Sequence, residues 1–276
     1  MTASRVAYID GVALWAPALP GWPAARAALR GEAIATEPQR RPLPMMLAAN
    51  ERRRAPDSVL LALEVAGSAL AASGHAVAEV SSVFASAHGD LPITDALCRT
   101  LAGDPLLLSP TRFHHSVHNA ASGYWAIASG SRAPSTALAA FDHSFAAGLL
   151  EALCQCAADT QPVLLAAYDT EACGALASVN RSRGLLALAL VLAPQRGPKS
   201  AWALQWTLRP GACAAAPLRS AAAHALAGNA SADALPLAEA LAAGTHATLV
   251  LPLGDRLALQ LELRALTPAG VTPADA

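Results

Sequence analysis

The residues whose types and spacing could do chemistry are concentrated between Ser109 and Gly130, in the run S-P-T-R-F-H-H-S-V-H-N-A-A-S-G-Y-W-A-I-A-S-G. Its polar and aromatic members are His114, His115, His118, Asn119, Ser122, Tyr124 and Trp125. His114 and His118 stand four apart, the spacing by which two imidazoles share a zinc ion on one helical face. The stretch reads as a loop ahead of a helix, however, with no cysteine or carboxylate near in sequence. No metal is therefore assigned, and the histidines read as polar residues lining a cavity mouth or an interface. Ser122 invites hydrolase chemistry, since a serine can find its histidine and carboxylate anywhere in the fold. Its flanks are Ala120 and Tyr124, whereas a nucleophile elbow needs glycine two residues before and two after the serine. The cysteines Cys98, Cys154, Cys156, Cys173 and Cys213 fit neither a zinc nor a thioredoxin spacing. They read as buried thiols in a reducing cytoplasm. His88-Gly89-Asp90 closes an expected strand, where α/β proteins place functional groups, although a turn with a polar tip is the simpler reading.

The elements that must position these residues follow from the hydrophobic pattern. Val6–Leu14 reads as a first strand, Trp15–Pro23 as irregular, Ala24–Leu29 as a short helix, and Gln39–Pro44, with Arg40 and Arg41, as a loop. Asp57 is placed as the N-cap of a helix with an apolar side from Leu60 to Leu70, and Gly74 stops it. Val80–His88 is a strand and Ile93–Leu101 a helix. After a Pro-containing loop, the small residues Ala120, Ala121, Ser122 and Gly123 lead into an apolar helix. Ser135–Phe141 reads as a fully buried strand and Asp142–Ala158 as a helix, with Gly148 permitting close packing. Pro162–Tyr168 and Gly184–Leu192 are apolar, non-alternating strands, the signature of a sheet covered on both faces. Ala201–Leu208 alternates like a half-exposed strand, and Leu226–Ala243 is mostly helical. Thr245–Leu251 and Arg256–Leu263 form a hairpin, and 267–276 is a disordered tail.

The central segment resembles the nucleophile region of the β-ketoacyl synthases, thiolase-fold enzymes that extend acyl chains on a carrier protein. In that family a cysteine sits in a short T-A-C-S/T-S-like turn at the N-terminus of a buried helix, where amides and dipole lower its pKa. The matching turn is Asn119-Ala120-Ala121-Ser122-Gly123. Ala121 aligns best with the cysteine, with Asn119 and Ser122 as alternative registers, and no cysteine lies between His114 and Gly130. The H-G-T and N-x-F-G-x-G-G motifs that carry the family's two histidines are absent, and Gly244-Thr245-His246 has those letters in the wrong order. The chain thus resembles the short, cysteine-less β-ketoacyl synthase-like chain-length factors, in particular those of aryl-polyene and related pigment pathways.

The resemblance implies an α/β, thiolase-like, layered α-β-α fold with a shortened or remodelled C-terminal part. One domain is expected over 1–266, with a ketosynthase-like core over about 5–195 and the remodelled part over about 200–266. It implies no catalytic residue, no cofactor, and a heterodimer with an active β-ketoacyl synthase, reaching an acyl carrier protein through that complex. His115, His118, Asn119, Tyr124, Trp125, Phe141 and His143 are the candidates for lining the acyl tunnel or the interface, and Ser135–Phe141 for the interface strand. A stand-alone serine acyltransferase or hydrolase using Ser122, and a carrier-protein-binding scaffold, are the alternatives.

Composition bounds these readings. The 276 residues are 54% hydrophobic and only 14% charged, against about 25% charged in an ordinary globular domain. So few charges point to a large face buried against a partner, or else to an alanine-rich surface. The net charge of −1 gives no electrostatic footprint for nucleic acid. Gly184–Pro194, the longest late apolar run, is too short for the ~18 residues of a membrane span. No secretory signal is read, because Asp10 and Pro17 interrupt the early apolar run, and the expected compartment is the cytoplasm.

Overall fold

The computed structural model describes residues 6–34 and 36–267. The chain opens with β1 (Val6–Ala16), β2 (Leu19–Pro20) and α1 (Trp22–Leu29). After a coil come α2 (Ala49–Arg54), α3 (Asp57–Ser73), β3 (Ser81–Ala85) and α4 (Leu91–Gly103). The middle of the chain holds α5 (Pro110–Ser116), α6 (Ala120–Ser129), β4 (Ser135–Leu138), α7 (Ser144–Asp159), β5 (Val163–Asp169) and β6 (Leu186–Ala193). The last elements are β7 (Trp202–Pro210), α8 (Ala221–Leu226), α9 (Leu235–Ala243), β8 (Ala247–Pro252) and β9 (Leu257–Ala265).

Eight strands run in the order β4-β3-β5-β6-β1-β7-β9-β8, and β2 pairs with β1. β3 is parallel to β4 and to β5, and the other neighbours are antiparallel. Because successive strand residues point to opposite faces, the apolar strands supply two cores at once. Val83, Leu165, Leu188 and Leu190 meet Phe145 and Leu149 of α7 and Leu237 and Leu241 of α9 in one core. Phe84, Leu164, Ala189 and Val191 meet α3, together with Ala121 and Trp125 of α6, in the other. This is the layered α-β-α arrangement expected from the sequence. Beyond β1 the pattern changes to alternation, as in β8, because only one face there is covered.

Two glycines set the layer spacing. A Cβ on Gly11 would sit 2.1 Å from the carbonyl oxygen of Ala69, so β1 touches α3 backbone to backbone. A Cβ on Gly148 would lie 2.8 Å from the Cβ of Ala85, which puts α7 directly onto β3.

Several expectations are corrected. Ser135–Phe141 is not a buried strand: β4 ends at Leu138, lies at the sheet edge and is only partly covered. Alanine-rich strands look alike from sequence whether central or peripheral, and only the strand order distinguishes them. The histidine-bearing stretch is not a loop, since Pro110–Ser116 is helical, with Pro110 in the first turn and the Ser109 hydroxyl accepting from the Arg112 amide at 3.4 Å. Asp57 is inside α3 rather than capping it, and its carboxylate accepts instead from Arg41 Nε at 2.6 Å. Trp15–Pro23 is a strand end, the short β2 and the start of α1. The helix expected over Leu226–Ala243 is split, because Arg183 packs where Gly228 has no side chain and Pro236 opens α9. Of the five cysteines only Cys156 is buried, and Cys98 and Cys154 are exposed. Burial and then the nearby Asp10 push the Cys156 thiol up to about 12, leaving it inert. Apart from Thr267, which accepts a hydrogen bond from Arg196, the tail expected over 267–276 lies outside the described residues.

Candidate functional site

α5 and α6 are separated by the extended residue Val117, and α6 starts from Asn119, whose side chain makes no capping hydrogen bond. Ala121, which with Asn119 and Ser122 as alternatives is the position expected to match the family's nucleophile, is 2% exposed and contributes a methyl group to the core that α3 covers. Ser122 is also buried, and its Oγ donates to the Asn119 carbonyl oxygen of its own helix at 2.9 Å. Its proton is thus held by the backbone, with no imidazole among its partners. The start of α6 offers a helix dipole, and the Ser122 hydroxyl there is bonded to the backbone rather than to a base.

Tyr124 and Trp125 point in different directions. Trp125 is buried against Phe84, ring centroids 6.3 Å apart, and fills the inter-layer core. Tyr124 faces outward and lines a cleft of about 300 Å³ with Leu47, Val117, Asn119 and Ile127. Its hydroxyl shares a 2.9 Å hydrogen bond with His115 Nε2. Burial, then the neighbouring His114, lower the pKa of His115 against the opposing pull of Asp90, which favours the neutral ring. Burial raises the Tyr124 pKa, and Glu51 adds to it.

The other candidates lie apart from this cleft. His118 turns back to the sheet, its Nε2 2.9 Å from the Ser86 carbonyl oxygen. Phe141, at φ 54°, is exposed beyond β4 and packs edge-on against the His88 ring at 5.5 Å. His143 follows in the same tight turn, half-buried. The structure therefore brings together Asn119, Tyr124 and His115, and separates them from Trp125, His118, Phe141 and His143. Among the described residues, no group of three or more His, Cys, Asp or Glu side chains is placed to hold a metal ion.

Sequence reasoning missed the polar centre at the strand ends. Asp169 closes β5 and is fully buried. It accepts from the Ser86 hydroxyl at 2.8 Å, the Ser231 hydroxyl at 2.7 Å, and the amides of Ala87 at 3.1 Å and His88 at 3.3 Å. Its carbonyl oxygen accepts from Asn229 Nδ2 at 3.2 Å. Burial raises its pKa, and the Ser231, Ala87 and Ser86 hydrogen bonds oppose that. The available signal was an acid ending the otherwise apolar V-L-L-A-A-Y-D, which at the end of a buried strand must find several donors. His88-Gly89-Asp90 is the turn beside it: Asp90 caps α4, accepting from the Ile93 amide at 2.9 Å, and takes the Ser58 hydroxyl at 2.7 Å. This centre joins the β3 and β5 ends to the segment before α9, and every hydroxyl in it is spent on structure.

The family described as beta-ketoacyl synthase, N-terminal domain, matches residues 22–251. No curated protein matches the chain. Among solved structures, a chain from the complex of a ketosynthase with its chain length factor from Xenorhabdus doucetiae is 23% identical, with 93% of this chain and 99% of that one covered at a TM-score of 0.70. The ishigamide ketosynthase/chain length factor gives 17% identity, 95% and 100% coverage and a TM-score of 0.70. A type II polyketide acyl-carrier protein in complex with its hexaketide-bound ketosynthase gives 11% identity, 95% and 100% coverage and a TM-score of 0.72.

Proposed function

The chain belongs to the β-ketoacyl synthase N-terminal domain family, and from that premise we propose that it is a non-catalytic subunit of chain-length-factor type, paired with an active β-ketoacyl synthase in chain elongation. The observation that carries the reading is a helix start without a nucleophile set in an apolar face with an open strand edge. α6 packs against α5 and against β4. Phe113 on α5, Val117 between α5 and α6, Ile127 on α6 and Phe141 just beyond β4 are exposed, Ile127 at 81%. Among the described residues β4 pairs as a strand only with β3, with its other edge unpaired there. An uncovered edge beside exposed apolar side chains is what a dimer buries, and a stable interface removes about 1,600 Å² in total. The relatives in complexes of ketosynthase with chain length factor support the same pairing.

On this reading the synthase supplies the nucleophile and the proton-transfer groups. This chain supplies a wall: the Tyr124 cleft opens on the face to be covered, and the growing acyl chain stops where that cleft closes. Tyr124 is the residue whose size matters, with His115 holding its ring in place. Trp125, buried in the core, does not line the tunnel. Ile127→Glu and Phe141→Glu test the pairing. Both side chains are exposed, so the fold is retained, while a carboxylate placed in a dry interface abolishes co-purification with the synthase. Unchanged co-purification of both variants would reject this face.

A further inference from the structure

A second cleft, of about 660 Å³, lies between the coil before α2, the N-terminal ends of α3 and α4, and α5. Arg40, Arg41, Arg54 and Arg112 all line it, although basic and acidic residues across the chain are nearly balanced, at 19 and 20. Arg41 is committed to structure, donating to Asp57 at 2.6 Å and to the Ala55 carbonyl oxygen at 2.6 Å. Among the described residues, the guanidinium groups of Arg40, Arg54 and Arg112 make no hydrogen bond or ion pair. Two of the three lining carboxylates are engaged, Asp57 by Arg41 and Asp90 by Ser58 and the Ile93 amide, and Glu171 is the third. The remaining walls are apolar along Pro17, Pro56, Pro92, Ile93 and Leu185, with His115 and Thr170 as their polar members.

We propose that this cleft binds an organic phosphate, with the phosphoryl oxygens held by Arg40, Arg54 and Arg112 and an apolar body against the proline, isoleucine and leucine walls. Three guanidinium forks offer more donors than a carboxylate's two oxygens take up, and they match the several free oxygens of a phosphate ester. The cleft is far larger than inorganic phosphate needs, and its apolar walls give that ion nothing. An alkyl phosphate uses both parts of the lining. The site adjoins the Tyr124 cleft through His115, which lines it and bonds Tyr124, but none of its three arginines lines that cleft, and its binding does not depend on the pairing proposed above.

The test is calorimetric titration of the full chain, at low salt, with hexyl phosphate, hexanoate and inorganic phosphate. Hexyl phosphate is expected to saturate one site and to bind more tightly than either of the others. Arg54→Gln with Arg112→Gln is expected to weaken it by about tenfold or more, and Arg40→Gln alone by less. Arg209→Gln, on β7, is expected to leave it unchanged. All these arginines are exposed, and unchanged melting of each variant establishes that the fold survives. Absence of saturable binding would overturn the proposal, as would equal weakening by Arg209→Gln. If an acidic carrier protein bound through the same arginines while hexyl phosphate did not, the surface would be a protein-docking face, which also overturns it.

Discussion

The buried Asp169 carboxylate accepts four hydrogen bonds, and its consequences are local. A carboxylate buried with four donors on it stabilises the native state only while those donors stay in place. Asp169→Ala leaves them unsatisfied and is expected to cost roughly 3 kcal/mol or more, read as a lower urea midpoint. Ser122→Ala removes one hydrogen bond to the helix's own backbone, so it is expected to cost about 1 kcal/mol or less and to leave the output of a reconstituted complex unchanged. Loss of turnover in that variant would restore the serine-enzyme reading. Tyr124→Ala enlarges the cleft that Tyr124 lines, and mass spectrometry of the complex's products is expected to show longer chains. That no cysteine lies between His114 and Gly130 is legible in the sequence itself. That Tyr124 faces a cleft while Trp125 fills the core was not legible, since adjacent helical residues point about 100° apart and the pattern does not say which way the core lies. The partners of Asp169 were hidden for another reason: Ser86 and Ser231 are 83 and 62 residues away from it.

At the scale of elements, α7 shows how closely helix and sheet are matched. Gly148→Val would drive a branched side chain into Ala85 and Leu165, contacts already at 2.8 and 3.0 Å for a Cβ. A loss of about 1–3 kcal/mol is expected in denaturant unfolding. The start of α7 also carries a pH dependence. Asp233 accepts from the Ala146 amide at 3.1 Å, but its Oδ1 is buried without a partner. Burial raises its pKa from 3.8 to about 7, despite the Ala146 hydrogen bond that pulls it down. The native state therefore holds this proton more tightly than the unfolded chain does. Its contribution to stability is full below about pH 4 and is lost as pH rises to about 7. Urea midpoints across that window should fall with pH, and Asp233→Asn should flatten the slope. A slope unchanged in the variant would assign it to another group. Strands β1, β5 and β6 were legible because both faces are buried and the runs are continuously apolar. β4 and α5 were misread because one depends on its place in the strand order and the other on a serine cap and a first-turn proline that outweigh its polar sequence.

For the whole molecule, Phe113, Val117, Ile127 and Phe141 are exposed apolar side chains on or next to α5, α6 and the end of β4, and others lie elsewhere, before α2 at Leu43 and Met45 and after α4 at Leu106 and Leu107. On the function proposed above, a chain of this family with no cysteine between His114 and Gly130 and with exposed apolar side chains beside α6 is completed by an active synthase. The most direct measurement is co-expression with an active β-ketoacyl synthase from the same gene neighbourhood, with a tag on one partner only and native mass determination of what elutes. A stable one-to-one complex is the predicted result. Purification of this chain alone, as monomer or homodimer, with the synthase left behind, would contradict the account.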